Sequence, residues 1–284
     1  MLPKIAILLA GYDGQKYIQE QVFSLINQKE VLVEIFIRVD GESKPFIELV
    51  TGLENQFENI HYIKGDTISS SSKNFYNLIL GMRRYDFDYY ALCDQDDIWL
   101  DNKLINAISY FNDNSVQGYS SAFTTFNSTG KKTTYQLGVQ TKFDYFFQSA
   151  GPGCTFVLNN AGFDFLQSFL LKNPSILSVS AHDWLVYFIF RFNNIKWIIG
   201  TESYIYYRQH SSNVAGVNKG IKAKFKRGRI LFHGWYFSDL MHLLSFAKQK
   251  NNLPGFYNVF QLRRSKIQSV FIWVYFWFYF KSKL

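Results

Sequence analysis

The chain has 284 residues, 48% hydrophobic and 18% charged, so it is long and apolar enough to bury a sizeable core, and a wholly disordered chain is excluded. Its formal charge of +8 is unevenly divided. Residues 217–284 hold 13 Lys and Arg against one acid, Asp239, a net +12, while residues 1–216 hold 17 bases against 21 acids, a net −4. An acidic body with a basic tail is not a uniformly basic nucleic-acid binder, and no RNA- or DNA-binding motif is present, so no nucleic-acid partner is expected.

Two cysteines, Cys93 and Cys154, cannot make a disulfide scaffold, which points to a reducing, cytoplasmic compartment. The apolar run at the start ends at Gly11-Tyr12-Asp13-Gly14, too early for a signal sequence. Residues 267–280 are the longest charge-free apolar stretch, and as a helix would span roughly 21 Å, short of the ~30 Å hydrocarbon core. A simple membrane span is not expected.

The elements of the first 110 residues alternate. Residues 5–10 form a continuous apolar run, as in a strand buried on both faces of a parallel sheet. Ile18, Val22, Leu25 and Ile26 then recur at helical spacing, and Val33, Ile35, Ile37 and Val39 alternate as a second strand ending at Asp40-Gly41. A short helix over 46–54 and a third strand over 60–63 follow. Ser72 is the expected cap of a helix with Phe75, Leu78, Ile79 and Met82 on one face. A fourth strand, 89–93, runs into Asp94-Gln95-Asp96-Asp97, and a helix from about Asp101 turns Leu104, Ile105, Ile108 and Phe111 inward. Strands are also expected at 119–126, at 154–158 after the turn Ala150-Gly151-Pro152-Gly153, and at 204–208. His182-Asp183 opens a strongly apolar segment, 184–192.

This rhythm predicts an α/β doubly wound sheet, whose ligands bind beyond the carboxyl ends of the strands. Asp13, Asp40 and the cluster 94–97 lie at such ends, so carboxylates converge on one edge. Three carboxylates in four residues repel one another, and a cation offsets that cost. Oxygen ligands at a strand end suit Mg²⁺ or Mn²⁺, which hold phosphate oxygens; the plainer reading is an acidic turn with Asp97 or Asp101 capping the next helix.

The stretch Cys93-Asp94-Gln95-Asp96-Asp97-Ile98-Trp99-Leu100-Asp101-Asn102-Lys103-Leu104 resembles the D-x-D-D-x-W-x-x-x-K-L stretch of family 2 glycosyltransferases with the GT-A fold. Residues 5–21, with Tyr12 and Gly14-Gln15-Lys16-Tyr17, are similar to that family's first strand, turn and helix, and Ile37-Arg38-Val39-Asp40-Gly41-Glu42-Ser43 to its second-strand motif. Pro152-Gly153-Cys154-Thr155, His182-Asp183-Trp184 and Tyr207-Arg208-Gln209-His210 follow in the expected order and look most like the bacterial rhamnosyltransferase-like branch. The resemblance covers roughly residues 4–216. Gly11, Asp13 and Val39 depart from the family's usual Thr, Asn and Asp, at positions assigned to the base and ribose.

The resemblance implies a GT-A, Rossmann-like mixed sheet flanked by helices, with a nucleotide-sugar-binding half over 1–110 and an acceptor-binding half over 111–216. It implies an inverting transfer of a hexose or deoxyhexose, from dTDP-rhamnose or a UDP-hexose, to a saccharide hydroxyl on a lipid-linked glycan in O-antigen or capsule synthesis. Ala10, Tyr12, Asp13, Asp40 and Asp94 would hold the donor, and Asp94, Asp96 and His210 the Mg²⁺ or Mn²⁺ ion, His210 otherwise being a solvated loop residue. Lys73 either approaches the donor phosphates at a helix N-terminus or belongs to a solvated first turn. Asp183 would be the general base, its rival role being a helix cap. His182 and Trp184 would shape the acceptor pocket, with core packing the alternative for Trp184. Cys154 reads as a small buried residue, not a nucleophile. A metal-dependent phosphate-transfer or hydrolytic enzyme, and an inactive binding module of the same fold, stand as alternatives.

Residues 217–284 combine Lys219, Lys222, Lys224, Lys226, Arg227 and Arg229, then Arg263-Arg264-Ser265-Lys266, with Trp273, Tyr275, Trp277 and Tyr279. Bases beside aromatics are the composition of helices lying on an anionic membrane surface. The expectation is a basic, aromatic, helical membrane-surface tail, making the protein peripheral on the inner face of the cell membrane. The alternative is that these aromatics pack on the catalytic body or a partner subunit.

Overall fold

A computed structural model describes residues 1–82, 87–210, 234–253, 255 and 258–279. The expected alternation is present: β1 (Lys4–Gly11), α1 (Ile18–Ile26), β2 (Leu32–Val39), α2 (Lys44–Gln56), β3 (Ile60–Lys64), α3 (Ser71–Gly81) and β4 (Tyr89–Asp94). After these come β5 (Ile98–Trp99), α4 (Lys103–Ser109), β6 (Val116–Phe126), β7 (Lys132–Tyr135), β8 (Val157–Asn159), α5 (Asn160–Lys172), α6 (His182–Phe192) and β9 (Lys196–Arg208). Two further helices, α7 (Trp235–Gln249) and α8 (Lys266–Tyr279), belong to the tail.

The strands join one mixed sheet in the order β3-β2-β1-β4-β8-β6-β9-β5, with β7 beside β6. β1 pairs in parallel with β2 and with β4, while β8 is antiparallel to β4 and to β6. Because β1, β2 and β4 run the same way, their ends at Gly11, Val39 and Asp94 lie together. The sheet passes without interruption across residue 110, so both expected halves share it. The run in β1 is continuous because both faces are covered. Ile5, Ile7 and Leu9 enter the core beneath α1, α2 and α4, and Ala6 and Leu8 enter the core under α3, α5, α6 and α7.

Local chemistry departs from expectation at three places. The cap of α3 is Ser70, whose side chain accepts from the Lys73 N–H; Ser72 instead donates its hydroxyl to the Ser180 carbonyl. α4 starts at Lys103, and neither Asp97 nor Asp101 caps it, because Asp97 is drawn inward beneath the acidic turn. Residues 153–155 form a single 3-10 turn, and the strand begins only at Val157, since Pro152 and the glycines beside it favour a turn over ladder pairing.

α7 packs on the body. Leu240, Leu243, Leu244 and Ala247, at helical spacing, are at most 3% exposed within the same core as α6. At ~1.5–3 kcal/mol per fully buried aliphatic side chain, three leucines alone supply several kcal/mol for this docking. Arg263 donates to Gln148 Oε1 (3.0 Å) and Tyr236 Oη (3.2 Å), and Arg264 donates to the Ser149 carbonyl and lies 3.8 Å from buried Asp144. These two cations therefore tie the tail to the body. The basic run 219–229 lies outside the described residues. Among the described residues, no helix is long and apolar enough to cross a membrane.

Candidate active site

The first turn after β1 is built for exposure. Asp13 adopts a left-handed φ of 48°, and its Oδ1 accepts from Gln15 Nε2 (3.0 Å) and Ser43 Oγ (3.1 Å). Tyr12 is 59% exposed, its ring lying beside Gly41. The turn is gripped by Gln95, which accepts the Tyr12 N–H at 2.7 Å and donates to the Tyr12 carbonyl at 2.8 Å. A Cβ at Gly14 would meet Gln95 Oε1 at 2.1 Å, so glycine there admits this amide. Ala10, in register with Asp94 and Arg38, forms the floor between the two strand ends.

Asp40 directly follows β2. It is 3% exposed, and its carboxylate accepts the N–H groups of Ile68 (2.6 Å), Ser69 (3.3 Å) and Ser70 (3.1 Å). It thus fixes the loop entering α3, because a buried carboxylate without a cation takes backbone donors instead. Lys73 is exposed in the first turn of α3. Buried Asn74 bonds Gly11 O (3.2 Å), Arg38 O (3.3 Å) and the Arg38 guanidinium (2.7 Å), locking α3 to both strand ends.

The acidic turn divides into an outer and an inner part. Asp96 Oδ2 lies 2.7 Å from His210 Nε2, so the structure brings together two of the three residues assigned to the metal. Burial, and then the neighbouring Asp96, push the Asp94 carboxyl up to about 7. Asp97 is 1% exposed and held well above the carboxylate range by burial and then by Asp94; its Oδ1 accepts the Arg208 N–H, and its Oδ2 has no hydrogen-bond partner among the described residues. Asp94, Asp97 and Cys154 could each offer a ligand atom, all within 4.8 Å of one another.

These groups fit a divalent cation. Burial and mutual repulsion hold these carboxyls protonated, and a divalent cation would let them ionise. Asp94 and Asp96 offer hard oxygens suited to Mg²⁺ or Mn²⁺, whereas the buried Cys154 thiol is soft and pushed well above its ordinary value by burial. Cys154 is buried, and its thiol bonds the Asp94 and Asp97 carboxyls. Behind the turn, the Lys103 ammonium sits 3.4 Å from the centre of the Trp99 ring, buried, and lowered to about 8 by that burial.

Asp183 stands in the first turn of α6. The α6 cap position is Ala181, so Asp183 is not the cap, although its Oδ1 accepts the Trp184 N–H at 2.7 Å. Burial raises its carboxyl to about 6. Its charge bears on Asp94, which places the two in one electrostatic neighbourhood. His182 is wedged between the Phe75 ring, 4.0 Å away, and Gly153, whose Cβ would meet its Nε2 at 2.4 Å. Burial lowers it to about 3, so it is neutral and shapes the turn around the site. Trp184 is 2% exposed, donates Nε1 to the Tyr145 carbonyl and stacks on Tyr236.

Three supporting residues were not assigned roles from sequence. Gln95 grips the turn after β1. Arg208 donates Nε to the Asp96 carbonyl (2.8 Å) and lies over the rings of Tyr17 and Phe126, bracing the acidic turn. Asp239 of α7 accepts from Ser180 N (2.9 Å), Ser180 Oγ (2.8 Å) and Ala181 N (3.1 Å), fixing the turn that carries Asp183. Its signal was visible, as the sole acid among residues 217–284.

Residues 7–172 match the family model "Glycosyl transferase family 2". The chain is 31% identical over 280 residues, 93% of this chain and 97% of the other, to "dTDP-rhamnosyl transferase RfbG" of Shigella flexneri. In fold it is similar to S. aureus TarS 1-349 in complex with UDP (TM-score 0.56, 14% identity, 99% of this chain and 75% of that one) and with UDP-GlcNAc (0.55, 16%, covering 80% of this chain but only 65% of that one). It is also similar to the mannosyltransferase PcManGT from Pyrobaculum calidifontis in complex with GDP-Man and Mn²⁺ (0.51, 11%, 88% and 76%). The sheet is thus the GT-A fold that the resemblance implied. The chain belongs to glycosyl transferase family 2, as a glycosyltransferase of its rhamnosyltransferase-like branch.

Proposed function

We propose that the chain moves a hexose or deoxyhexose, with inversion, from a nucleotide sugar to a saccharide hydroxyl, and that it depends on Mg²⁺ or Mn²⁺. The observation that carries this is the pairing of the acidic turn, Asp94 and Asp96, with Asp183, whose charge bears on Asp94 and whose carboxyl burial raises to about 6. Asp94 and Asp96 would hold the ion with His210, and the ion would neutralise the departing diphosphate. Exposed Tyr12, Asp13 and Lys73 and the floor at Ala10 face the donor. Asp183, ionised above about pH 6, takes the proton of the acceptor hydroxyl as its oxygen bonds to the anomeric carbon and the nucleoside diphosphate leaves.

The name of the Shigella relative favours dTDP-rhamnose as donor, with a UDP-hexose the competitor. The acceptor in this reading is a lipid-linked glycan of bacterial surface polysaccharide, such as O-antigen or capsule, met at the cytoplasmic face of the membrane. Exposed Ile267, Val270, Phe271 and Trp273 on α8 support a surface-bound placement of the tail. A thermal-shift panel of nucleotide sugars with Mn²⁺ tests the donor, since a ligand of the native state adds RT ln(1 + [L]/Kd). The expected result is the largest rise with dTDP-rhamnose, abolished by EDTA; no rise with any donor would overturn the reading.

A further inference from the structure

We infer that the C-terminal helices complete the acceptor site, so that Trp235, Tyr236 and Gln268 form a sugar-binding wall opposite Asp183; this rests on the transferase reading above. A cavity of about 240 Å³ opens beside Asp183, lined also by Gln148, Ser149, Trp184 and Arg263. Its walls come from two sources, the catalytic body and the tail. The volume is below the ~300–1,000 Å³ of drug-sized sites, which suits one sugar ring better than a whole nucleotide sugar.

The chemistry of the walls agrees. Trp184 and Tyr236 stack with ring centres 5.0 Å apart and 17° between planes, and Trp235 meets Tyr236 edge-on at 6.1 Å. Trp184 and Tyr236 are buried and hydrogen-bonded to the backbone of Tyr145 and Phe147, so they are fixed. Trp235 is 53% exposed, a large apolar face left beside the base. A flat aromatic face next to amides and a guanidinium matches a pyranose, which has an apolar C–H face and a rim of hydroxyls. Gln148, which lines the cavity, has a buried Nε2 with no hydrogen-bond partner among the described residues. The occupant is therefore a neutral saccharide residue of the acceptor, with the hydroxyl to be glycosylated directed at Asp183.

The test uses the full chain with dTDP or UDP and Mn²⁺ on an array of bacterial O-antigen, capsule and core oligosaccharides, beside calorimetric titration of the nucleotide. Trp235→Ala and Gln268→Ala are expected to weaken glycan binding at least tenfold with nucleotide affinity unchanged. Trp235 is exposed, so its removal leaves the core intact, and an unchanged melting temperature checks this. A wild-type chain that binds nucleotide but no glycan, or variants that bind glycan like the wild type, would overturn the inference while leaving the donor reading in place. Failure to bind any nucleotide with Mn²⁺ would instead sink the transferase reading beneath it.

Discussion

Asp239 offers the sharpest test of how the tail serves catalysis. Its carboxylate takes three hydrogen bonds from Ser180 and Ala181, immediately ahead of His182 and Asp183. In Asp239→Asn the amide keeps one oxygen, which can serve Ser180 Oγ and the Ala181 N–H, while its NH₂ must then oppose the Ser180 N–H. One donor loses its partner, at about 1–3 kcal/mol; Ser180 is exposed and water can reach it, so the lower end applies. That amounts to a fall in melting temperature of roughly 2–4 °C for a protein of this size. Asp239→Ala orphans both N–H groups and doubles the loss to about 2 kcal/mol. The catalytic effect is expected to be larger, because misplacing a reacting group by about 1 Å costs on the order of 100-fold. Asp239→Asn should therefore lower kcat by one to two decades, with nucleotide affinity measured by calorimetry unchanged. A variant with the same thermal loss but wild-type kcat would refute the idea that α7 positions the base.

Asp183→Asn should abolish transfer while nucleotide binding with Mn²⁺ persists, and in the wild type kcat/KM should fall tenfold per pH unit below about 6, since the base works only ionised. For metal linkage, the Asp94 carboxyl rises from an ordinary 3.8 to about 7, so between those values the metal-free folded chain binds more protons than the unfolded one, and its stability falls as pH rises through that window. Mn²⁺ competes with those protons; the rise in melting temperature on adding Mn²⁺ should be larger at pH 8 than at pH 6, and Asp96→Asn should largely remove it. Equal rises at both pH values would count against Asp94 as a ligand. Gln95→Ala removes both hydrogen bonds to Tyr12 and should weaken nucleotide binding several-fold without moving the acidic limb of the pH profile.

The strand-and-helix rhythm to residue 110 was legible because period decides it. A run such as Ile5 to Leu9 needs two covered faces, and the helices between strands supply them. The acidic edge was legible too, since parallel strands put their carboxyl ends together whatever else the chain does. The direction of each carboxylate was not. Asp40, Asp94 and Asp97 all sit at strand ends, yet one holds a loop, one meets the site and one lies buried beneath it. The roles of Asp40 and Asp97 depend on which N–H groups lie within about 3 Å, and those come from residues 28 to 111 positions away. Sequence spacing carries no record of them.

The division of charge along the chain shows the same boundary. Composition by itself determined that this protein has an acidic body and a +12 tail rich in aromatics. Only the tertiary structure decided that α7 is core, that Arg263 and Arg264 anchor the tail to Gln148, Ser149 and Asp144, and that the tail's one acid secures the turn bearing Asp183. Charge counts add along a chain, whereas a side chain's work is set by what it is buried against.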